Sequence, residues 1–262
     1  MPNRLPPTLL LLASALLAAC SSQPQPSSDP NYQRLMQLAA DLDKRGDPAS
    51  AAALYQNAAQ QPGEHPDAWR KLGDTSLAAG DARAAERAYQ QALTLQPGDL
   101  DTLLGLGTAQ LRQGKLERAV TALTQAAHSG NRADAWSRLG VAQVLRGDAS
   151  SAQSAFQRSL ALAPDDLDTR CNLALAYALG GQAQAALQSI AEVTRSPRAV
   201  PRHQRNALLV TVLAGREQDV ANLPLDDISA SERQALLEEA RRIKAINDPR
   251  AQAQTLGLVD GR

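Results

Sequence analysis

Small and apolar positions in this chain of 262 residues return at a fixed interval. A small residue stands at Ala39, Gly73, Gly107, Gly140 and Ala174, in steps of 34, 34, 33 and 34 residues. Self-similarity at such a period marks a stack of supersecondary units. The punctuation between those positions shows what each unit is. Gly46, Gly80, Gly114, Gly147 and Gly181 mark points where a helix can end in a left-handed conformation at no cost to glycine. Asp47, Asp81 and Asp148 follow as candidate N-caps of a second helix, with Pro48 suited to its first turn. Pro62, Pro97 and Pro164 then stop that helix. Each unit reads as two antiparallel helices that approach closely at the small residue.

Five units are expected near residues 32–65, 66–99, 100–132, 133–166 and 167–199. A degenerate sixth starts near Val200, where Asn206-Ala207-Leu208-Leu209 echoes Asn172-Leu173-Ala174-Leu175. The third unit is one residue short and ends in Gly130-Asn131 without proline. One unit cannot bury its own apolar face, so units stack and the ends need caps. Ser229-Ala230-Ser231-Glu232 offers a capping box. Leu236, Leu237, Ala240, Ile243 and Ile246 follow at helical spacing. This predicts a closing helix ended by Asp248-Pro249 and a loose tail to Arg262, with Leu256 and Leu258 tucked in.

The repeat resembles the tetratricopeptide signature. Trp69, Leu72-Gly73, Ala85, Tyr89, Ala92 and Pro97 recur as Trp136, Leu139-Gly140, Ala152, Phe156 and Pro164, while the third unit has Leu103 in the tryptophan position. The resemblance implies an all-α fold, a right-handed superhelix with C-terminal capping helices. It also implies that first helices line a concave face that holds peptides or helices. Phased on the Leu-Gly pair, repeats one and two put polar Gln33, Gln37, Asp43, Lys44, Asp67, Arg70, Lys71 and Asp74 there. Repeats three to five put Leu104, Leu111, Val141, Val144, Leu145, Leu175 and Leu179 there. Two readings of this apolar stripe stand side by side. It is a groove for an amphipathic partner helix, or the superhelix winds tightly and these residues or the C-terminal segment fill one another. Asn172 alone matches the clamp with which chaperone-binding members hold a peptide carboxylate.

The N-terminus carries Arg4 and an apolar run, Leu9 to Leu17, too short to span a bilayer. That reads as a signal peptide. Leu17-Ala18-Ala19-Cys20 resembles the lipobox of bacterial lipoproteins, which implies cleavage after residue 19 and acylation of Cys20. Ser21 rather than Asp follows, which in family terms favours the periplasmic face of the outer membrane. Acyl chains add about 0.8 kcal/mol per buried CH₂, so several hold a chain on a membrane almost permanently. Residues 20–31 read as lipidated Cys and tether, since Ser21–Pro30 is Ser, Gln and Pro-rich. Residues 32–199 hold the five repeats, and 200–262 the sixth, the capping helix and the tail.

Composition narrows the chemistry. Lys and Arg balance Asp and Glu at 27 each, and aromatics are 3% of the chain. With cations scattered and no interleaved aromatics, nucleic-acid binding has no support. Beyond Cys20 only Cys171 remains, so no intrachain disulfide framework is expected. Cys171 reads as a small apolar residue on a first helix, and Asp165-Asp166 as a solvated turn. His65, His128 and His203 stand in no ligand spacing, and no nucleophile elbow, phosphate loop or dinucleotide fingerprint occurs. The expectation is a scaffold with no catalytic residues, no metal and no cofactor.

The lipobox, the repeat array and the final stretch from Arg202-His203-Gln204-Arg205-Asn206 to Gly215-Arg216 together resemble the lipoproteins of Tad/Flp pilus assembly, the TadD type. The resemblance implies a pilotin-like factor that binds the outer-membrane secretin subunit and assists its localisation and ring assembly. The alternative is an adaptor for another envelope machine: outer-membrane protein insertion, a peptidoglycan enzyme complex, or a type IVa pilus pilotin.

Overall fold

The computed structural model describes residues 29–225 and 227–256. The expected signal peptide, Cys20, most of the tether and Leu258 lie outside the described residues. Thirteen α-helices follow among those described: α1 (Pro30–Lys44), α2 (Pro48–Ala59), α3 (Pro66–Ala78), α4 (Ala82–Leu95), α5 (Leu100–Arg112), α6 (Leu116–Gly130), α7 (Ala133–Arg146), α8 (Ala149–Leu162), α9 (Leu167–Leu179), α10 (Ala183–Thr194), α11 (Pro201–Leu213), α12 (Ala230–Lys244) and α13 (Pro249–Thr255). A 3-10 turn, Glu217–Asn222, links α11 to α12.

Local chemistry sets the boundaries. The Asp47, Asp81 and Asp148 carboxylates accept the N–H of Ser50, Ala84 and Ser151 at 3.1, 2.9 and 3.0 Å. Such caps contribute about 1 kcal/mol each. Asp99 and Asp166 cap α5 and α9 in the same way. The glycines between paired helices are left-handed, with φ of 78° at Gly46 and 90° at Gly147. In the third repeat Leu103 is buried in the tryptophan position, and left-handed Asn131 ends α6 where proline is missing.

Three boundaries differ from the sequence reading. Asp29 caps α1 and Pro30 occupies its first turn, so the helix begins inside the stretch expected to be tether. Asp248-Pro249 starts a helix rather than closing a domain: α12 ends at Lys244, and Asp248 accepts the Ala251 N–H at 2.7 Å. Proline lacks only an N–H that a first turn does not use, so Asp-Pro begins a helix as readily as it follows one. The capping box forms by half. Ser229 Oγ accepts the Glu232 N–H at 3.2 Å, but the Glu232 carboxylate turns away to accept from Arg205 Nε at 2.8 Å.

Helices pair in sequence, α1 with α2 through α9 with α10, and each second helix packs on the first helix of the next pair. The first helices also touch across the repeat step, α3 with α5, α5 with α7, α7 with α9 and α9 with α11, which makes them the inner layer. The tightest points are the crossings. A Cβ built on Gly73 or Gly140 would lie 2.5 Å from the ring of Tyr89 or Phe156, and one on Gly107 would lie 2.5 Å from Leu123 Cγ. All three partners are fully buried. The 3-10 turn and α12 close the far end over Leu208 and Val212. From there α13 turns back onto α7.

Gly140→Ala is therefore expected to cost about 1–3 kcal/mol, because a flat buried ring has little room to withdraw. The measurement is the urea midpoint, and Phe156→Leu in the same chain should recover part of the loss. An unchanged midpoint in Gly140→Ala would show that the crossing is looser than the geometry requires.

Candidate functional site

Most of the stripe read from the sequence as an apolar groove is buried, and only Leu104 of its residues lines an open cleft. Leu111, Val141, Val144, Leu145 and Leu175 are at most 6% exposed, and Leu104 and Leu179 are partly buried. Most of them share one core cluster with Trp136, Leu139 and Phe156, and that cluster includes Ala253 of α13. Leu256, at the end of α13, packs against the neighbouring cluster around Cys171, Ala174 and Leu175. Stacking of the repeats and the C-terminal segment bury Leu111, Val141, Val144, Leu145 and Leu175. A seven-residue helix separated from α7 by a hundred residues leaves no periodic signal of where it lands.

The inner face is open nearer the N-terminus. There α3, α4, α5 and α7 surround a cleft of about 600 Å³ lined by Arg70, Asp74, Tyr89, Thr108, Arg112 and Arg138, with Leu104 and Gly105 at its floor. A Cβ on Gly105 would strike the Tyr89 ring, so the glycine keeps the floor low. Asp74 accepts the Tyr89 hydroxyl at 2.9 Å and pairs with Arg70 at 3.4 Å. Burial raises the Asp74 carboxyl above its ordinary value, aided by Asp101 and opposed by Tyr89, Arg70 and Lys71. Asp101 and Asp134 are both taken by Arg132. Arg112 donates to the Leu77 carbonyl at 2.6 Å. Burial and the nearby Arg112 charge lower the Arg138 guanidinium from its ordinary value. Asp74, Asp101 and Asp134 are engaged by Arg70 and Arg132, with Asp134 also acting on Arg138 at longer range, while among the described residues Arg112 and Arg138 form no ion pair. Beyond Arg112 the rim stays basic: Arg83, Arg87, Lys115 and Arg118 surround Glu86, which Lys115 holds at 2.5 Å.

The phasing of the sequence puts Arg70, Asp74 and Leu104 on this inner face, and gives no such place to Arg112, Arg138, Tyr89 or Thr108. Thr108 was within reach, because Asp74, Thr108 and Val141 each follow a crossing glycine. The arginines were not, since which part of a long side chain reaches the cleft depends on the helix crossing.

The stretch from Arg202 to Asn206 fastens the last repeat. Arg202 grips the Asp168 carboxylate at 2.9 and 2.8 Å. His203 accepts the Val200 N–H at Nδ1, which leaves Nε2 as the N–H that reaches Asp168 at 3.0 Å. Arg205 pairs with Glu232 on α12. Burial pushes the Cys171 thiol up to about 12, which keeps it protonated and unreactive near neutrality. Among the described residues, no group of three His, Cys, Asp or Glu side chains is placed to hold a metal ion.

Comparison with known proteins bears on this architecture. The computed structure resembles the crystal structure of PilW, described as a widely conserved type IV pilus biogenesis factor, with a TM-score of 0.66 and 17% identity over 87% of this chain and 99% of that one. It resembles Pseudomonas aeruginosa PilF with a TM-score of 0.64 and 17% identity, over 80% and 98%. The chain folds as a tetratricopeptide-repeat solenoid. Residues 35–137 match the family described as the Cilia and flagella-associated protein 70 middle TPR-like domain. A sequence relative, cellulose synthase operon protein C of Xanthomonas axonopodis pv. citri (strain 306), is 32% identical over 160 residues, 58% of this chain. The solenoid spans only 10% of that relative's length. The TadD-type resemblance has no counterpart in these matches.

The Asp168 cluster yields a pH-dependent expectation. Hydrogen bonds from Arg202, then from His203, hold the Asp168 carboxyl below its ordinary 3.8. A depressed folded-state value means the group stabilises the fold above its unfolded value and loses that contribution as pH falls through the folded one. Asp168→Asn should cost about 1 kcal/mol at neutral pH, at the upper end for an exposed pair because of the buried imidazole. Denaturation of both chains across pH should show the gap closing below about pH 4. A gap that stays constant into acid would remove the charge from the account.

Proposed function

We propose that this protein is a lipid-anchored adaptor of a cell-envelope assembly machine rather than an enzyme, and that its client is the outer-membrane secretin subunit of a Tad/Flp-type pilus system. The observation that carries the adaptor reading is the open cleft on the inner face, in which Arg112 and Arg138 form no ion pair among the described residues while Asp74, Asp101 and Asp134 are held by Arg70 and Arg132. An acidic side chain of a client segment would enter between the two guanidinium groups and relieve their repulsion, in a site already partly dehydrated by the surrounding helices. The structural likeness to a type IV pilus biogenesis factor supports a pilus client, and the lipobox ending at Cys20 supports attachment at the periplasmic face of the outer membrane. The similarity to a cellulose synthase operon protein favours the second reading, an adaptor for a different envelope machine.

Affinity capture from detergent-solubilised envelope separates these readings. Arg112→Gln with Arg138→Gln should lower recovery of the secretin by about tenfold or more in a chain that still melts cooperatively, because the substitutions remove positive charge without adding carboxylates beside Asp74, Asp101 and Asp134. Normal recovery by the double variant would move the client to another surface, and recovery of a different envelope component would select the second reading. Cys20→Ala is expected to shift the protein from the outer-membrane fraction to the soluble periplasm. Flotation of that variant with the membrane in the absence of a bound client would remove the anchor from the proposal.

A further inference from the structure

The two edges of the solenoid carry opposite charge in the second and third repeats. Where α3 turns into α4 and α5 into α6, a hollow of about 790 Å³ is lined by Arg83, Arg87, Arg112, Lys115 and Arg118 against two carboxylates, Asp81 and Glu86. Both carboxylates are engaged from within. Asp81 caps α4 through the Ala84 N–H, and buried Glu86 is held by Lys115 and accepts from Gln113 at 2.9 Å. Glu117 beside them is paired with Arg146. Among the described residues Arg83 and Arg87 form no ion pair, and Arg118 reaches Glu86 only at 4.0 Å. Arg83 and Arg87 stand one turn apart on the exposed side of α4, a like-charge placement that an external anion would relieve. At the opposite edge the sign reverses. There Asp67, Asp99, Asp101 and Asp134 stand at the starts of α3, α5 and α7, against Arg70 and Arg132.

We propose that the basic edge lies on the anionic headgroups of the membrane that anchors the chain, its guanidinium groups paired with lipid phosphates. The proposal rests on the reading of Cys20 as the anchor. The form of the cluster favours a surface of many phosphates over one bound anion, because Arg83, Arg87, Arg112 and Arg118 are exposed residues spread over three successive helices. Each guanidinium offers a fork that matches the oxygens of a phosphate. The membrane is also the anionic surface that anchoring keeps within reach. Residues 20–28 can span up to about 30 Å, and a first helix of 13 residues is about 20 Å long, so a chain held at Cys20 can bring the far ends of its helices onto the bilayer. The acidic edge then points away from the surface. The contact is one of charge, so salt screens it, and it orients a protein that the acyl chains retain.

The probe is the mature chain, residues 20–262 with Cys20→Ala so that no acyl group is attached, added to vesicles of phosphatidylcholine alone or with about one third phosphatidylglycerol. It should sediment with the anionic vesicles at about 0.01 M salt, where charges act over roughly 30 Å, and release at about 1 M, where they act over roughly 3 Å. It should ignore the neutral vesicles at both. Arg83→Gln with Arg87→Gln and Arg118→Gln should lower the bound fraction about tenfold or more. Arg34→Gln with Arg195→Gln and Arg198→Gln removes the same charge at the opposite edge and should leave binding nearly intact. Amide exchange at the starts of α4 and α6 should slow when anionic vesicles are added. Equal losses in the two triple variants would reduce the binding to net charge and overturn the proposal, as would no binding at low salt or binding that survives 1 M. Loss of secretin capture by the first triple variant, with vesicle binding unchanged, would give the edge to an acidic protein surface instead. Arg112 stays native throughout, and a chain without Cys20 reports nothing of acylation, so failure here remains distinct from failure of the adaptor or the anchor.

Discussion

The solenoid depends on how closely the two helices of a repeat approach at their crossing. Gly73, Gly107 and Gly140 offer no side chain where Tyr89, Leu123 and Phe156 lie across them, and a single added methyl would stand 2.5 Å from the nearest atom of each. This contact is made of dispersion and excluded volume, so it tolerates almost no displacement. Because the crossing is fixed in each pair, the angle at which one pair meets the next is fixed as well. The inner layer of first helices follows from that repetition. With only 3% aromatic residues, the chain places one large ring at a crossing and fills the remainder with alanine and leucine.

The inner face then divides by what covers it. Toward the N-terminus the first helices present charged and hydroxylated side chains, and the resulting cleft stays open to water. From α7 onward they present aliphatic side chains, whose exposure would be unfavourable, and α13 returns to cover part of that surface. The same architecture thus provides a polar cleft and an apolar strip with a light cover. The polar cleft favours fast, salt-sensitive encounter.

The far end shows how a degenerate repeat is retained. The sixth pair lacks a standard second helix, and the 3-10 turn with α12 takes that place. Arg202 and His203 reach Asp168 and Arg205 reaches Glu232, so this stretch acts through bonds to both neighbours. The residues that carry the resemblance to pilus lipoproteins are thus fasteners within the solenoid. A sequence signature of this kind records how the end of the stack is closed, which is separate from what the stack binds.

By itself the sequence determined the periodic part of this protein: the helix pairs, the turn glycines, the aspartate caps and the glycine crossings. Each of these is local or repeats at one interval, so a single unit's chemistry predicts the others. It determined the polar character of Arg70 and Asp74 for the same reason. The tertiary structure alone decided which stretches of the inner face are open. Val141 and Leu175 follow a crossing residue as Asp74 does, yet they end up buried, in clusters that Ala253 and Leu256 join from far along the chain. It also decided that Arg112 and Arg138, from different repeats, face one cleft and form no ion pair among the described residues. Contacts between distant, non-repeating segments obey no periodicity. A short Asp-Pro helix such as α13 acquires its order only from the surface it meets.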